Sequence, residues 1–214
     1  MAANCGANKR NHQNERTNMN RITQLDPAGA TGKTKELFDG VQGKLGLVPN
    51  LFRVLGNSPA ALEGYLNFSG ALAGGTLNAK VREQIALAVA EGNLCSYCLS
   101  AHTFIGGKVG LSESDIAAAR KSTAASDKTD AILKLALSIL VQRGEISDGA
   151  LKSARAAGVT DAEIVETVAN VAVNIFTNYI NHVARTVVDF PEVKPGETAA
   201  PAEACSTGNC GCEN

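Results

Sequence analysis

The segment "ETVANVAVNIFTNYINHVARTVV", residues 166–188, constrains the fold more than any other part of the chain. It is largely apolar over a length that no ordinary strand reaches, and polar residues interrupt it too often for a bilayer span. A helix over about 162–188, apolar enough to supply an interface between copies, is the reading that remains.

Helix-start signals recur elsewhere, and strand signals do not. Ser58 can cap a helix whose first residue is Pro59. "SESD" at 112–115 and "TDAE" at 160–163 have the spacing of a capping box, and Gly158 stands where a glycine would end the helix of "DGALKSARAA". Alanine, which loses least on entering a helix, is abundant. The expected fold is an all-α bundle of about seven or eight helices. A faint echo between "NLCSYCLSAHT" and "NIFTNYINHVA" suggests two related halves, or a chance likeness of helical segments.

Composition divides the chain in three. Residues 1–20 are polar and expected to be disordered, with Met19 a candidate working start. Residues 21–190 carry the helical patterning. From residue 191 to 214, proline, glycine and small residues predict a flexible tail containing Cys205, Cys210 and Cys212.

With 214 residues and 44% hydrophobic content, one well-packed domain is expected. A net charge near −1 and the absence of tryptophan argue against nucleic acid and a membrane surface as partners. The opening residues lack the apolar core of a signal peptide, which predicts a cytoplasmic protein. Six cysteines there are expected as reduced thiols, metal ligands or redox pairs rather than structural disulfides.

Chemistry concentrates in "REQIALAVAEGNLCSYCLSAH", Arg82 to His102. On a helix, Cys95, Cys98 and His102 fall at i, i+3 and i+7, within one narrow arc. Gly92–Asn93 is a poor helix interior and a good boundary, which puts both cysteines in the first turn of a new helix. There the backbone N–H groups and the positive dipole end favour a thiolate. A second thiol one turn away can close onto an oxidised sulfur, and the histidine can relay a proton. Three readings stay open on these residues alone: a redox dithiol, a zinc site completed by a glutamate, and inert buried cysteines.

Two glutamates compete to serve the cluster. On one unbroken helix Glu91 would sit a turn before Cys95, whereas Glu83 would be about 18 Å away. A break at Gly92–Asn93 removes that distinction. Ala86, Leu87 and Ala90 surround Glu83 at helical spacing, while Val81, Ile85, Ala88 and Val89 make the other side apolar. This helix is expected to be buried nearly all round, where a carboxylate needs a partner.

The runs "LGLVPNLFRVLGNSPAALEGYLNFSGAL" and "VREQIALAVAEGNLCSYCLSAHT" resemble the carboxymuconolactone decarboxylase superfamily, in its AhpD-like branch of alkylhydroperoxidases and peroxidase-related proteins. The pattern E-x11-C-x-[HY]-C-x3-H carries the likeness, which covers about residues 22–190. "NHVARTVVDFP" at 181–191 resembles the end of the peroxidase-related subgroup.

The resemblance implies an AhpD-like helical fold and a thiol-dependent peroxidase with no cofactor and no metal. Cys98 would attack the hydroperoxide, Cys95 would resolve the sulfenic acid as a Cys95–Cys98 disulfide, and His102 with Glu83 would relay protons. An external dithiol, lipoyl-type or thioredoxin-like, would reduce the disulfide. A homo-oligomer, trimer or hexamer, is also implied. The best-known members carry a histidine between the cysteines where this chain has Tyr97, so Tyr97 and Glu91 are carried as supporting residues. The alternative is a non-enzymatic redox-sensing or metal-binding module using the same side chains. The tail thiols fall outside the likeness; a C-x-C pair exchanging with the body cysteines, a soft-metal site and no dedicated role are the three readings for them.

Overall fold

A computed structural model of the chain describes residues 20–196. Met19, nearly all of the expected N-terminal extension, and Cys205, Cys210 and Cys212 lie outside the described residues.

The described residues form helices and no strands. They are α1 (Gly32–Leu45), α2 (Asn50–Leu55), α3 (Pro59–Ala73), α4 (Ala79–Gly92), α5 (Ser96–Lys108), α6 (Glu113–Arg120), α7 (Asp127–Gln142), α8 (Asp148–Ala156) and α9 (Asp161–Ala184), after a 3-10 turn at Pro27–Gly29. Nine α-helices replace the seven or eight expected. Segments as short as α2, with six residues, and α6, with eight, complete too few turns to register as a period.

The caps read from sequence are present. Ser58 accepts from the Ala61 N–H ahead of Pro59, and capping boxes close at Ser112/Asp115 and Thr160/Glu163. Gly158, at φ 83°, takes the left-handed position after α8 that a side chain would strain.

α4 is the central element, packed by α5, α6, α7 and α9. Every residue from Gln84 to Ala90 is buried. Ala86, Ala88 and Ala90 let neighbouring helices approach, while Ile85, Leu87 and Val89 fill the space between them. The all-round burial expected for this helix is therefore its actual setting.

Two boundaries differ from expectation. α9 stops at Ala184, not near 188, because Arg185 turns left-handed at φ 50°. The chain beyond it then crosses the body as a strap. Asn50 donates its backbone N–H to Asp189 and its side chain to the Val187 carbonyl, and Val193 N–H donates to Ser100 Oγ. Arg120 donates to the Lys194 carbonyl and Gly196 N–H to Glu91. Residues 191–196, the start of the segment expected to be a tail, are thus hydrogen-bonded to the helical body.

The helix break also lies one residue later than read. Gly92 ends α4 in helical conformation, and Leu94 takes the left-handed turn at φ 56°. The Leu94 and Cys95 N–H groups donate back to the Glu91 and Ala90 carbonyls, closing the helix end. Gly92 serves close packing instead: a Cβ there would meet Leu140 Cδ2 at 2.7 Å.

Candidate active site

Because the chain turns at Leu94, α5 folds back along α4, and the distance a single helix would impose between Glu83 and the thiols disappears. Cys95 is the N-cap of α5 and Cys98 lies in its first turn; both are buried and free. Their sulfurs are 2.6 Å apart, with the Cys95 thiol donating to Cys98 Sγ. One turn on, His102 Nδ1 donates to Glu83 Oε2 across 2.8 Å.

Glu91 is not part of this cluster. Its carboxylate accepts from Arg120 at 2.8 Å and from Gly196 N–H at 2.6 Å, so it fastens α6 and the strap to the end of α4. Tyr97 is likewise a packing residue: its hydroxyl accepts the buried Leu51 N–H, and the Phe190 ring stands edge-on to its own. Its ring lines the site, and burial pushes its phenol well above the ordinary tyrosine range.

The other side of the thiol pair is built by α9. Asn181 donates its amide to Cys98 Sγ at 3.2 Å, and Asn178 accepts from the Asn93 side chain at 2.8 Å. His182 contacts the Asn93 carbonyl at 2.9 Å, so α9 also clamps the break itself. None of the three α9 residues was singled out from sequence. A signal was there: Asn170, Asn174, Thr177, Asn178 and Asn181 form a buried polar stripe at helical spacing on an otherwise apolar helix. The echo segments therefore pack against each other, but Asn93 lies at a helix break and Asn174 within an unbroken helix.

The environment separates the two thiols. Burial pushes Cys98 up, yet the hydrogen bond from Cys95, the charge of His102 and the Asn181 and Asn178 amides outweigh it and hold the thiol down at about 7. The hydrogen bond to Cys98, followed by burial, pushes Cys95 far up. Burial alone would depress His102, but the Glu83 carboxylate and Cys98 raise it above its ordinary value. Cys98 thus becomes the thiolate as pH rises through about 7, beside a Cys95 held as thiol and a His102 whose proton Glu83 helps to retain.

Two chambers meet at this cluster. A cavity of about 330 Å3 opens above Cys98 between mostly apolar walls that include Leu51, Phe52, Phe104 and Phe190, and Cys95 does not line it. A smaller polar chamber of about 70 Å3, lined by Arg82, Asn170 and Asn174, lies behind. Glu83, His102 and Tyr65 belong to both walls. Tyr65 is raised to about 12, by burial first and then by the charges of Cys98 and Glu83.

Among the described residues, no group of three or more His, Cys, Asp or Glu side chains converges as metal ligands do. Nor is any helix long and apolar enough to cross a membrane.

Residues 59–135, which hold Glu83, both cysteines and His102, match the profile of the carboxymuconolactone decarboxylase family. Over that segment the chain is similar to the family. The matched segment runs from the start of α3 into α7, and the described residues as a whole share their fold with solved AhpD-like structures. One is a peroxidase-related protein with an alkylhydroperoxidase AhpD core from Ralstonia eutropha JMP134, 22% identical, with TM-score 0.72, covering 80% of this chain and 93% of that one. A peroxidase-related protein from Silicibacter sp. TM1040 is 21% identical, with TM-score 0.68 and coverages of 79% and 93%. The debrominase Bmp8 is 17% identical, with TM-score 0.68 and coverages of 79% and 92%; a cysteine-to-alanine variant of it has been solved with 2,3,4-tribromopyrrole. No curated protein sequence matches the chain. At these identities the likeness establishes the AhpD-like fold.

Proposed function

We propose that the protein is a thiol-dependent peroxidase that reduces hydroperoxides bearing an apolar group. The observation that carries this reading is the asymmetry of the thiol pair: Cys98 alone faces the apolar cavity, and Cys95 sits behind it at 2.6 Å. In the first step the Cys98 thiolate attacks the terminal peroxide oxygen. The O–O bond breaks, the departing alkoxide takes a proton from His102, and Cys98 becomes a sulfenic acid with release of an alcohol. Cys95 then attacks that sulfur, giving the Cys95–Cys98 disulfide and water. An external dithiol returns both sulfurs to thiols and leaves as its own disulfide.

Glu83 holds the imidazolium in place and, through the polar chamber behind it, has a route for replacing the proton. A chamber of that size admits water. With Tyr97 committed to the Leu51 N–H, no second base stands between the cysteines. Proton supply in this reading rests on His102, with Cys95 supplying the second proton.

The test is consumption of cumene hydroperoxide by the purified protein with a dithiol such as dihydrolipoamide. Cys98→Ser is expected to abolish it. Cys95→Ser is expected to leave one stoichiometric reaction that ends in a trappable sulfenic acid.

One observation favours a second reading, reductive dehalogenation: a ring-sized apolar cavity directly over a thiolate in a fold shared with a debrominase. Bromide release from tribromopyrrole, with no hydroperoxide turnover, would favour it over the first.

A further inference from the structure

Four hydroxyl groups line the cavity above Cys98, those of Tyr65, Ser69, Tyr97 and Thr177. Two of them are committed elsewhere. Tyr97 accepts the Leu51 N–H and has the Asp189 carboxylate beside it, and Thr177 donates to the Asn174 carbonyl at 3.0 Å. The other two lie one turn apart on α3, where the Ser69 hydroxyl donates toward the Tyr65 phenol. The Tyr65 oxygen is thus supplied with a donor, and its own O–H is left to give a hydrogen bond into the site.

The surroundings of that O–H fix what it can serve. Tyr65 forms part of the wall between the apolar cavity and the polar chamber, together with Glu83 and His102. Burial first, and then the charges of Cys98 and Glu83, hold its proton in place to about 12. The sulfur itself takes its hydrogen bonds from Cys95, Asn181 and Asn178, and not from Tyr65. A donor that feels the thiolate without bonding it stands about one layer of atoms away. The layer between them is where a peroxide attacked by Cys98 carries its oxygens. The ring is held from two sides, by Phe52 with centroids 5.9 Å apart and by Phe176 at 6.3 Å. The hydroxyl is therefore in position before any substrate arrives.

We infer that Tyr65 is a catalytic residue, whose O–H donates a hydrogen bond to the alkoxy oxygen that leaves when Cys98 takes the terminal oxygen of a hydroperoxide. The inference rests on the peroxidase reading. In that step a Cys98 Sγ–O bond forms as the O–O bond breaks. The electron pair of the broken bond passes to the alkoxy oxygen, which becomes the anion. His102, with Nδ1 taken by Glu83, has Nε2–H left for that oxygen and gives the proton that completes the alcohol. Tyr65 keeps its own proton and stabilises the charge as it develops, between walls apolar enough to strengthen the bond. The alkoxy oxygen carries no such charge in the bound peroxide, so the contribution falls on the rate of the step rather than on binding.

The test is single-turnover oxidation of the reduced full chain, followed by loss of the Cys98 thiol, in wild type and Tyr65→Phe. The variant keeps the ring and its aromatic neighbours and removes only the O–H. Two oxidants are compared, cumene hydroperoxide and peracetic acid. The departing cumyl alkoxide is strongly basic and depends on a donor, whereas departing acetate is weakly basic and hardly does. Tyr65→Phe is expected to slow oxidation by cumene hydroperoxide about 100-fold and by peracetic acid less than about threefold. Iodoacetamide labelling of Cys98, which involves no departing oxygen, is expected to keep its rate and its pH midpoint. Equal losses with the two peroxides, or losses matched by labelling, would put the effect on the sulfur and overturn the assignment. A variant that is oxidised as fast as the wild type would overturn it too. A wild type that labels at Cys98 but reacts with neither peroxide would overturn the peroxidase reading itself, and this inference with it.

Discussion

Asn181 on α9 donates its side-chain amide to the sulfur of Cys98 on α5, 83 positions earlier in the chain, across 3.2 Å. The bond makes the last helix part of the thiol site and gives Cys98 a second side-chain donor beside the Cys95 thiol.

Replacing Asn181 by leucine keeps the size and removes the donor. A hydrogen bond to a charged group contributes about 1.5–3 kcal/mol, so the Cys98 thiol should rise and its reactivity near neutral pH should fall roughly tenfold or more. The check is the rate of iodoacetamide labelling at Cys98, mapped by mass spectrometry. Asn181→Asp should lower the rate further, because it brings a negative charge to the thiolate.

The pH dependence follows from the opposite movements of two groups. Cys98 is held down at about 7, so the thiolate grows as pH rises through that value and is lost below it. His102 is raised, so it keeps its proton to a higher pH than an ordinary histidine and loses it beyond. Peroxidase activity should therefore follow a bell whose rising limb lies near 7 and whose limbs belong to the coupled pair. Glu83→Gln removes the carboxylate that raises His102. It should lower the falling limb and move Cys98 labelling to higher pH.

Tyr97 separates structure from chemistry. Tyr97→Phe leaves the buried Leu51 N–H without its acceptor, a cost of about 1–3 kcal/mol. Thermal or urea unfolding should show that loss, while the midpoint of Cys98 labelling stays in place.

Gly92→Ala is expected to change stability by no more than about 1 kcal/mol, because the Cβ displaces only the end of the half-buried Leu140 side chain and the gain in helix propensity offsets that cost. Leu94→Gly, two residues on and at a left-handed position, should also be tolerated. Urea unfolding of the two variants side by side checks both.

The all-α class and several helix starts were legible because their signals are local: a capping side chain and its acceptor lie three residues apart, as at Ser112 and Thr160. Glu83 and His102 were legible through motif resemblance, since their contact depends on a chain reversal that spacing alone does not fix. Glu91 is carried from sequence only as a supporting residue, since it would neighbour Cys95 if the helix ran on; Leu94 turns the chain, and Arg120 claims the carboxylate. Asn178 and Asn181 were not found, because their partners lie about 85 and 83 positions away and only tertiary packing brings them together. The strap over 191–196 was read as tail for a similar reason. Proline and glycine mark an absence of helix, and backbone groups of such a segment can still be hydrogen-bonded by side chains elsewhere, as Ser100 does for Val193.

The assignment of Cys98 as the attacking thiol is tested most directly by treating the reduced protein with one equivalent of cumene hydroperoxide and comparing wild type, Cys95→Ser and Cys98→Ser. The wild type is expected to form a Cys95–Cys98 disulfide with loss of the peroxide. Cys95→Ser should stop at a dimedone-reactive sulfenic acid on Cys98, and Cys98→Ser should leave the peroxide untouched. Peroxide loss that persists in Cys98→Ser, or a sulfenic acid found on Cys95, would contradict the assignment.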